Sequence, residues 1–185
     1  AVAMAAASVI VVVVGWAAAA STMPAPAAVT DAQGHALSPS RLLATTYPSN
    51  ALNGRRSLLV LLPAGYDSRR ARYPVIEFLH GSPGRPTDLI GAGQIGRAAG
   101  RAGIPPFIAV IPDGNGPVIR ESWYLNLPSQ RMGQATGAEL RSWVRRTFRV
   151  NGSWSYAGLS SGGFGAAYLA MIDRSPVNGI CGLSS

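Results

Sequence analysis

The middle of the chain alternates short apolar runs with turn-forming residues. Positions 57–62, 73–79 and 107–111 are almost continuously apolar, and each run stops at a proline or at a glycine-rich turn. Runs of this length without polar alternation are typical of strands that are buried on both faces of a parallel sheet. Between the second and third runs, the Ala- and Gly-rich segment 88–103 predicts a weak helix with Thr87 near its N-terminal cap.

The C-terminal half adds two helical segments and two further strands. Between 139 and 148, apolar residues recur at the i, i+3, i+4, i+8 spacing of one helical face, which predicts an amphipathic helix. A short strand at 154–157 follows, then a helix of small residues that also carries Phe164 and Met171, and then a last strand at 177–183. Strands that alternate with helices predict an α/β fold, with a mostly parallel sheet and helices on both of its faces.

The first 40 residues are expected to lie outside the packed core. Positions 1–20 contain no charged residue, and about 20 apolar residues is the length that crosses a bilayer as a helix. We therefore expect a transmembrane or signal-anchor helix over 1–20, with a cleaved export signal as the alternative. Residues 21–40 predict a Pro/Ala-rich extended linker, which leaves 41–185 as the globular domain. Either signal would place this domain on the extracytoplasmic side of a membrane.

Composition narrows the chemistry that this domain can perform. Of 185 residues, 48% are hydrophobic and 13% are charged, a balance that suits a chain with a buried core. The single cysteine, Cys181, excludes an intrachain disulfide, and two histidines without a Cys/His cluster indicate neither a metal site nor a cofactor. The formal net charge is +8, and every basic residue is Arg. Because no aromatic stacking motif accompanies the arginines, we expect no nucleic acid partner, and an anionic membrane or envelope surface is preferred.

The segment Gly158-Leu159-Ser160-Ser161-Gly162 matches the pattern G-x-S-x-G between a short strand and a helix. In that context the serine sits on a strained turn that exposes its Oγ, and glycines are needed because a Cβ there would collide with neighbouring backbone. The N–H groups and positive dipole end of the following helix would stabilise an oxyanion beside Ser160. These features predict that Ser160 is a nucleophile. The competing interpretation is a glycine-rich loop without chemistry.

The loop after the second apolar run supplies the other candidate residues. A second N–H donor for the oxyanion is expected there, and Gly81 and Ser82 are placed to provide it. His80 precedes them at the strand end, where an imidazole more often ties a loop down by hydrogen bonds than acts as a general base. We therefore expect His80 to be a loop anchor, whereas His35 falls in the linker and has no implied role.

Several motifs, in order along the chain, resemble the Putative esterase family of α/β-hydrolases, which includes S-formylglutathione hydrolases, feruloyl esterases and mycolyltransferases. The resemblance covers about 55–185, and its elements are Leu62-Pro63-Ala64-Gly65-Tyr66-Asp67, Phe78-Leu79-His80-Gly81-Ser82, Ile111-Pro112-Asp113-Gly114, Ser122-Trp123-Tyr124, Glu139-Leu140 and Ala157-Gly158-Leu159-Ser160-Ser161-Gly162-Gly163-Phe164-Gly165-Ala166. It implies an α/β-hydrolase fold and an ester or acyl-donor substrate. It also implies an acyl-enzyme at Ser160, with the oxyanion held by the Ser161 N–H and by an N–H from Gly81 or Ser82.

The chain departs from this family after the nucleophile. The family places the triad acid and the histidine after the serine, but this sequence has only Asp173 as an acid there and no histidine. Asp173 lies near the far end of the following helix and is not expected to replace the acid. We therefore expect a partial α/β-hydrolase domain whose C-terminal part is missing. The alternative to a serine ester hydrolase or acyltransferase is a non-catalytic or inactive truncated protein, and its oligomeric state is open.

Overall fold

The computed structural model describes residues 40–91, 95–99 and 103–184. Eight strands and five α-helices follow one another in these ranges, and one π-helical turn, Ala135–Glu139, joins α3 to α4. The strands are β1 Arg41–Ser49, β2 Gly54–Leu62, β3 Tyr73–Leu79, β4 Ile108–Pro112, β5 Asn126–Leu127, β6 Gln130–Arg131, β7 Val150–Leu159 and β8 Gly179–Leu183. The helices are α1 Pro86–Gly91, α2 Ile95–Ala99, α3 Met132–Gln134, α4 Leu140–Thr147 and α5 Ser161–Ile172.

Six strands form one central sheet in the order β1-β2-β4-β3-β7-β8, and β5 and β6 form a separate hairpin. The pairs β1/β2 and β2/β4 are antiparallel, whereas β4/β3, β3/β7 and β7/β8 are parallel. The sheet is therefore mostly parallel, as the sequence pattern predicts. Its register places Leu79 opposite Gly158, so the C-terminal ends of β3 and β7 lie side by side.

Helices pack on both faces of this sheet, because its central strands are apolar on both sides. On β3, Val75 and Leu79 face a core that also contains residues of α4 and α5, while Ile76 and Phe78 pack against a second cluster with Leu89 of α1. Burial of one such side chain contributes about 1.5–3 kcal/mol. Helices therefore cover both faces of the central strands, and this packing fixes the position of the loops at the strand ends.

The structure corrects the expected boundaries in three places. The predicted helix over 88–103 is two short helices, α1 and α2, and 92–94 and 100–102 lie outside the described residues. The helix expected from 139 begins earlier, at Met132, and includes the π turn. The edge strand β1 was not predicted, because it is largely exposed and lacks a continuous apolar run.

Helix α5 packs on the sheet through its small residues. Gly162, Gly163 and Ala166 are buried, whereas Phe164 and Met171 are 44% and 84% exposed. Large side chains on the inner face would keep the helix axis away from the strands, so the glycines permit a closer approach.

The expected transmembrane or signal-anchor helix over 1–20 lies outside the described residues, as does the expected linker up to residue 39. Within the described ranges, no helix combines the length and apolar character needed to cross a bilayer.

Candidate active site

Ser160 lies at the junction of β7 and α5, at the C-terminal edge of the parallel strands. Its backbone has φ 54° and ψ −124°, and the residue is exposed. A non-glycine residue in this region is strained, at a cost of about 1–3 kcal/mol, and such strain persists only where the surrounding structure enforces it. The Ser160 hydroxyl does not cap the helix. The turn therefore presents this side chain to solvent above the sheet.

The glycines on either side of Ser160 leave no room for a side chain. A Cβ at Gly158 would overlap the backbone of Gly162, and a Cβ at Gly162 would overlap the carbonyl groups of Leu79 and His80. This confirms the expectation that a Cβ at either glycine would collide with backbone. The obstacles are backbone atoms of β3 and α5, so they cannot move aside as a flexible side chain would.

The loop after β3 lies directly against this turn. A Cβ at Gly81 would lie 3.3 Å from the Ser160 Cβ, and the Ser161 hydroxyl donates a hydrogen bond to Ser82 Oγ at 3.2 Å. As the first residue of α5, Ser161 has an N–H group without an acceptor inside the helix. The structure thus brings together all four residues that the sequence predicts to bind the oxyanion or attack the ester: Ser160, Ser161, Gly81 and Ser82.

Both ring nitrogens of His80 are bonded to backbone. The Gly114 N–H donates to Nε2 at 2.9 Å, and Nδ1 lies 2.9 Å from the Gly81 carbonyl oxygen, to which it donates. Because a carbonyl oxygen can only accept, this network places a proton on Nδ1. His80 is 4% exposed, and both of its nitrogens are already used in these backbone hydrogen bonds. The ring instead connects the loop after β3 to the loop after β4.

A carboxylate, Asp113, lies beside this histidine. Its Oδ1 is 3.6 Å from His80 Nε2 and accepts hydrogen bonds from the backbone and side-chain nitrogens of Asn115. Burial raises the pKa of Asp113, but the adjacent His80 and the bonds from Asn115 outweigh burial and lower the pKa to about 2. Asp113 is therefore ionised at neutral pH and helps to order the loop after β4.

Tyr124 ties the same loops to helix α5. Its hydroxyl donates to the His80 carbonyl oxygen at 3.0 Å, and its ring occupies the space that a Cβ at Gly165 would need. Ser122 links this residue to the β4 loop, because its hydroxyl donates to the Gly114 carbonyl at 2.5 Å and accepts from the Tyr124 N–H at 3.0 Å. The sequence analysis predicts no role for Tyr124 beyond its place in the Ser122-Trp123-Tyr124 motif.

Trp123 and Tyr124 both have a positive φ, of 53° and 60°. The Trp123 ring is 48% exposed and meets the Phe164 ring edge-on, with centroids 5.9 Å apart. Phe164 is four residues after Ser160, on the same side of the first turn of α5. The strained pair therefore places an exposed aromatic surface within about one helical turn of the serine.

Asp173 does not join this site. It is the C-cap of α5, about 20 Å from Ser160 at 1.5 Å per residue, and its Oδ2 accepts hydrogen bonds from Arg141 and Tyr156. The expectation that Asp173 is too distant to act as the triad acid agrees with this position. Within 40–91, 95–99 and 103–184, no group of three or more His, Cys, Asp or Glu side chains could hold a metal ion.

The sequence matches the family described as Putative esterase over residues 49–176, which is more than half of the chain. No match was found among curated protein sequences. Among solved structures, the chain is similar to a ferulic acid esterase with 24% identity and a TM-score of 0.66, over 74% of this chain and 57% of that chain. It is similar to an S-formylglutathione hydrolase from Agrobacterium tumefaciens with 20% identity and a TM-score of 0.65, over 77% and 56%.

The protein MPT51 from Mycobacterium tuberculosis is also similar, with 16% identity and a TM-score of 0.59, over 77% of this chain and 50% of that chain. The chain thus spans less than two thirds of the length of each of these structures. At such identities the likeness shows the fold, which is that of the α/β-hydrolases. The family is shown by the sequence match. From this match, the chain belongs to the Putative esterase family.

Proposed function

We propose that the protein is a serine carboxylic-ester hydrolase or acyltransferase in which Ser160 is the nucleophile. The observation that carries this proposal is the strained and exposed turn of Ser160 between β7 and α5. Backbone strain of this kind clusters at active sites, because the protein must hold one reacting atom in one position. Membership of the esterase family supports the same class of reaction.

In the proposed reaction, Ser160 Oγ attacks the carbonyl carbon of the ester. A new C–O bond forms, the carbonyl π electrons move to its oxygen, and collapse of this oxyanion breaks the bond to the alcohol, which leaves with a proton. Water or another hydroxyl group then attacks the acyl-enzyme and regenerates the Ser160 hydroxyl. The first acceptor gives hydrolysis and the second gives acyl transfer.

The oxyanion is proposed to bind the Ser161 N–H together with an N–H from Gly81 or Ser82. The helix N-terminus adds its partial positive charge at the same point. The hydrogen bond between Ser161 and Ser82 supports this arrangement, because it holds the two donor segments at a constant separation. Loss of one such donor typically lowers the rate by about 10²–10³-fold.

The exposed rings of Trp123 and Phe164 are proposed to contact the apolar part of the ester. The two side chains are 48% and 44% exposed, and their rings contact each other edge-on. Edge-to-face contacts of this kind contribute about 0.5–1.5 kcal/mol beyond the buried area.

The hydrogen bonding of His80 supports a second candidate function. It is the one imidazole among the described residues, and its two nitrogens are bonded to Gly81 and Gly114. Without a base the Ser160 hydroxyl is a weak nucleophile. In this alternative the 185-residue chain is non-catalytic and uses the hydrolase scaffold only to bind an ester-like ligand. In both candidates His80 is a positioning residue that anchors the oxyanion loop.

A fluorophosphonate probe distinguishes the two candidates. Under the catalytic proposal, the purified chain forms a covalent adduct that peptide mass spectrometry places on Ser160, and Ser160→Ala abolishes it. Ser153→Ala, in the same strand, serves as the matched control and keeps the labelling. An adduct that survives Ser160→Ala contradicts the nucleophile, and a folded chain that remains unlabelled supports the non-catalytic candidate. Release of acid from a p-nitrophenyl ester, with and without an added sugar, then separates hydrolysis from transfer.

We also propose that the domain works on the extracytoplasmic side of a membrane. The uncharged segment 1–20 supports this proposal, because its length matches the hydrocarbon core of a bilayer. Protease added to intact spheroplasts is expected to digest the domain. Complete protection, with digestion only after lysis, would place it on the inner side.

A further inference from the structure

A large basic groove lies on the helical side of the sheet, at the opposite end of α5 from Ser160. Its volume is about 700 Å³, and most of its lining comes from the helical segment 132–147, from the C-terminal end of α5 and from the residues that follow α5. We define the basic groove by its five arginines, which are Arg131, Arg141, Arg145, Arg146 and Arg174. Asp173 is the one carboxylate in its lining. The end of α5 is about 18 Å from Ser160, so this groove is separate from the serine turn.

Small residues of the helical segment create the space between the arginines. Gly133, Gly137 and Ala138 line the groove on one side, and Leu169 and Ile172 of α5 line it on the other. The π turn that contains Gly137 and Ala138 widens the helix locally. The groove therefore has a floor of small and apolar groups and a rim of long cationic side chains.

The rim carries uncompensated positive charge. The buried Arg141 is neutralised by Asp173, because its Nη1 donates to Asp173 Oδ2 at 2.6 Å. In the described part of the chain, no carboxylate lies within 4 Å of the other four guanidinium groups. Arg146 bonds only to the neutral hydroxyl of Ser142. Like charges around a concave surface concentrate a positive potential inside it, and a multivalent anion would relieve their repulsion.

Arg141 forms a fixed inner wall of the basic groove. Its two terminal nitrogens are bonded to Asp173 and to the Pro176 carbonyl oxygen, and its guanidinium lies 5.2 Å from the centre of the Trp154 ring. Its Nε has no hydrogen-bond partner among the described residues. The groove is thus built on one immobile arginine, while the exposed arginines can adjust to a ligand.

The chemistry of the lining selects a phosphate group. Guanidinium forks pair bidentately with phosphate oxygens, and Ser142, Ser175, Asn126 and Gln134 add neutral polar groups to the wall. No aromatic side chain contributes to the described lining, so stacking of nucleic acid bases has no support there. A volume of this size accommodates a small molecule with more than one anionic group.

We propose that the basic groove is a binding site for a phosphate-bearing ligand of at least two negative charges. The ligand is recognised by Arg131, Arg145 and Arg174 on the rim, with Arg146 beside them. Free polyphosphorylated molecules and phospholipid headgroups share this chemistry. Neither the family match nor the serine turn requires such a site.

Isothermal titration of the full chain with pyrophosphate tests the proposal. Binding is expected, and its affinity should fall as sodium chloride is raised, because exposed charges are screened. The triple variant Arg131→Ala/Arg145→Ala/Arg174→Ala should lower the affinity at least tenfold, since each charge-assisted bond contributes about as much as a tenfold change in Kd. The control, Arg70→Ala/Arg97→Ala, removes two exposed arginines outside the groove and should change Kd less than twofold.

A second arm identifies the source of the phosphate. Vesicles that contain cardiolipin, whose headgroup carries two phosphates, and vesicles of phosphatidylcholine alone are added to the same proteins in a flotation assay. Flotation with cardiolipin only indicates a headgroup, and pyrophosphate binding without flotation indicates a soluble ligand, provided that the triple variant loses the response. If the triple variant unfolds, Arg174→Ala alone, which lies after α5 and is exposed, should still weaken binding several-fold. Failure of both probes to bind, or binding equal in the parent and arginine variants, overturns the proposal.

Discussion

The two ends of helix α5 differ in how they are packed. At its N-terminus, Gly158 and Gly162 bring β3, β7 and α5 so close together that neither glycine has room for a methyl group. At its C-terminus, a groove of about 700 Å³ lies beside the Arg141–Asp173 contact that joins the helical segment 132–147 to the end of α5. The N-terminal end of α5 has no room for added atoms, whereas the C-terminal end borders an open space that is surrounded by arginine side chains.

The difference shows how one helix can support two kinds of site. A reacting atom must be held in one position, so backbone surrounds the Ser160 turn, and His80 and Tyr124 hold the loops around it by hydrogen bonds. A bound anion needs space and mobile donors, so most of the groove arginines are exposed. Arg141 is the exception, since it is buried against Asp173. Substitutions at the two ends should therefore have different consequences.

The largest effect is expected at the close-packed end. Gly162→Ala places a methyl group on the carbonyl oxygen of Leu79, so β3 and α5 must separate and the serine turn must move. A displacement of about 1 Å can cost about 10²-fold in rate, and we expect probe labelling at Ser160 to fall at least that far. The control is Gly96→Ala in α2, where an added Cβ meets no atom within 4 Å. Unchanged labelling of Gly162→Ala would show that the close packing at Gly162 does not position Ser160.

The next largest effect is expected at Arg141, the buried arginine of the basic groove. Arg141→Ala leaves the Asp173 carboxylate buried without its ion-pair partner, and such a loss typically costs about 3–5 kcal/mol. Urea denaturation measures the change in free energy of unfolding. Arg145→Ala, one helical turn later and exposed, should change it by less than about 0.5 kcal/mol. Equal effects of the two substitutions would contradict the distinction between the inner wall and the rim.

A buried carboxyl group in the central sheet gives a pH-dependent test of stability. Glu77 on β3 is fully buried, and neither carboxyl oxygen has a hydrogen-bond partner among the described residues. Burial, together with the negative charge of Asp173, raises the pKa of Glu77 well above its usual value, although Arg141 acts in the opposite direction.

Because the folded chain keeps this proton at pH values where the unfolded chain has lost it, stability should fall as pH rises above about 4.5, by up to about 1.4 kcal/mol per pH unit. Glu77→Gln has no titrating group, so its unfolding free energy should depend less on pH between 5 and 8. Parallel urea titrations of parent and variant at several pH values measure this difference. Identical pH profiles would show that Glu77 does not keep its proton in the fold.

The smallest expected effect concerns the hydrogen bond that links Tyr124 to the oxyanion loop. Tyr124→Phe keeps the ring but removes the donor to the His80 carbonyl, which should cost about 1.5 kcal/mol. Labelling at Ser160 should also slow, because the loop with Gly81 and Ser82 loses one restraint. Tyr168→Phe, at a half-buried site with a longer bond of 3.3 Å, is the control. A larger loss of stability in Tyr168→Phe than in Tyr124→Phe would contradict the role assigned to the Tyr124 hydrogen bond.

Local patterns predicted much of the fold. The apolar runs at 57–62, 73–79 and 107–111 correspond to β2, β3 and β4, because the inner strands of a sheet that is covered on both faces need apolar side chains on both faces. The same reasoning missed β1, which is an edge strand, and α3, which begins a segment that contains poor helix formers such as Gly133 and Gly137. Elements whose formation depends on contacts with the rest of the chain carry a weak local signal.

By itself, the sequence determined the serine turn. The motif 158–162 specifies its steric requirements within five consecutive residues, because the close approach of backbone around the turn needs a glycine two positions before and two positions after the serine. Only the tertiary structure decided which distant groups meet. The hydrogen bond from Tyr124 to His80 spans 44 positions, and the groove joins Arg131 to Arg174 across the space between two helices. A sequence identifies which side chains are charged or polar, but the distances that let them act together are set by the packing of the core.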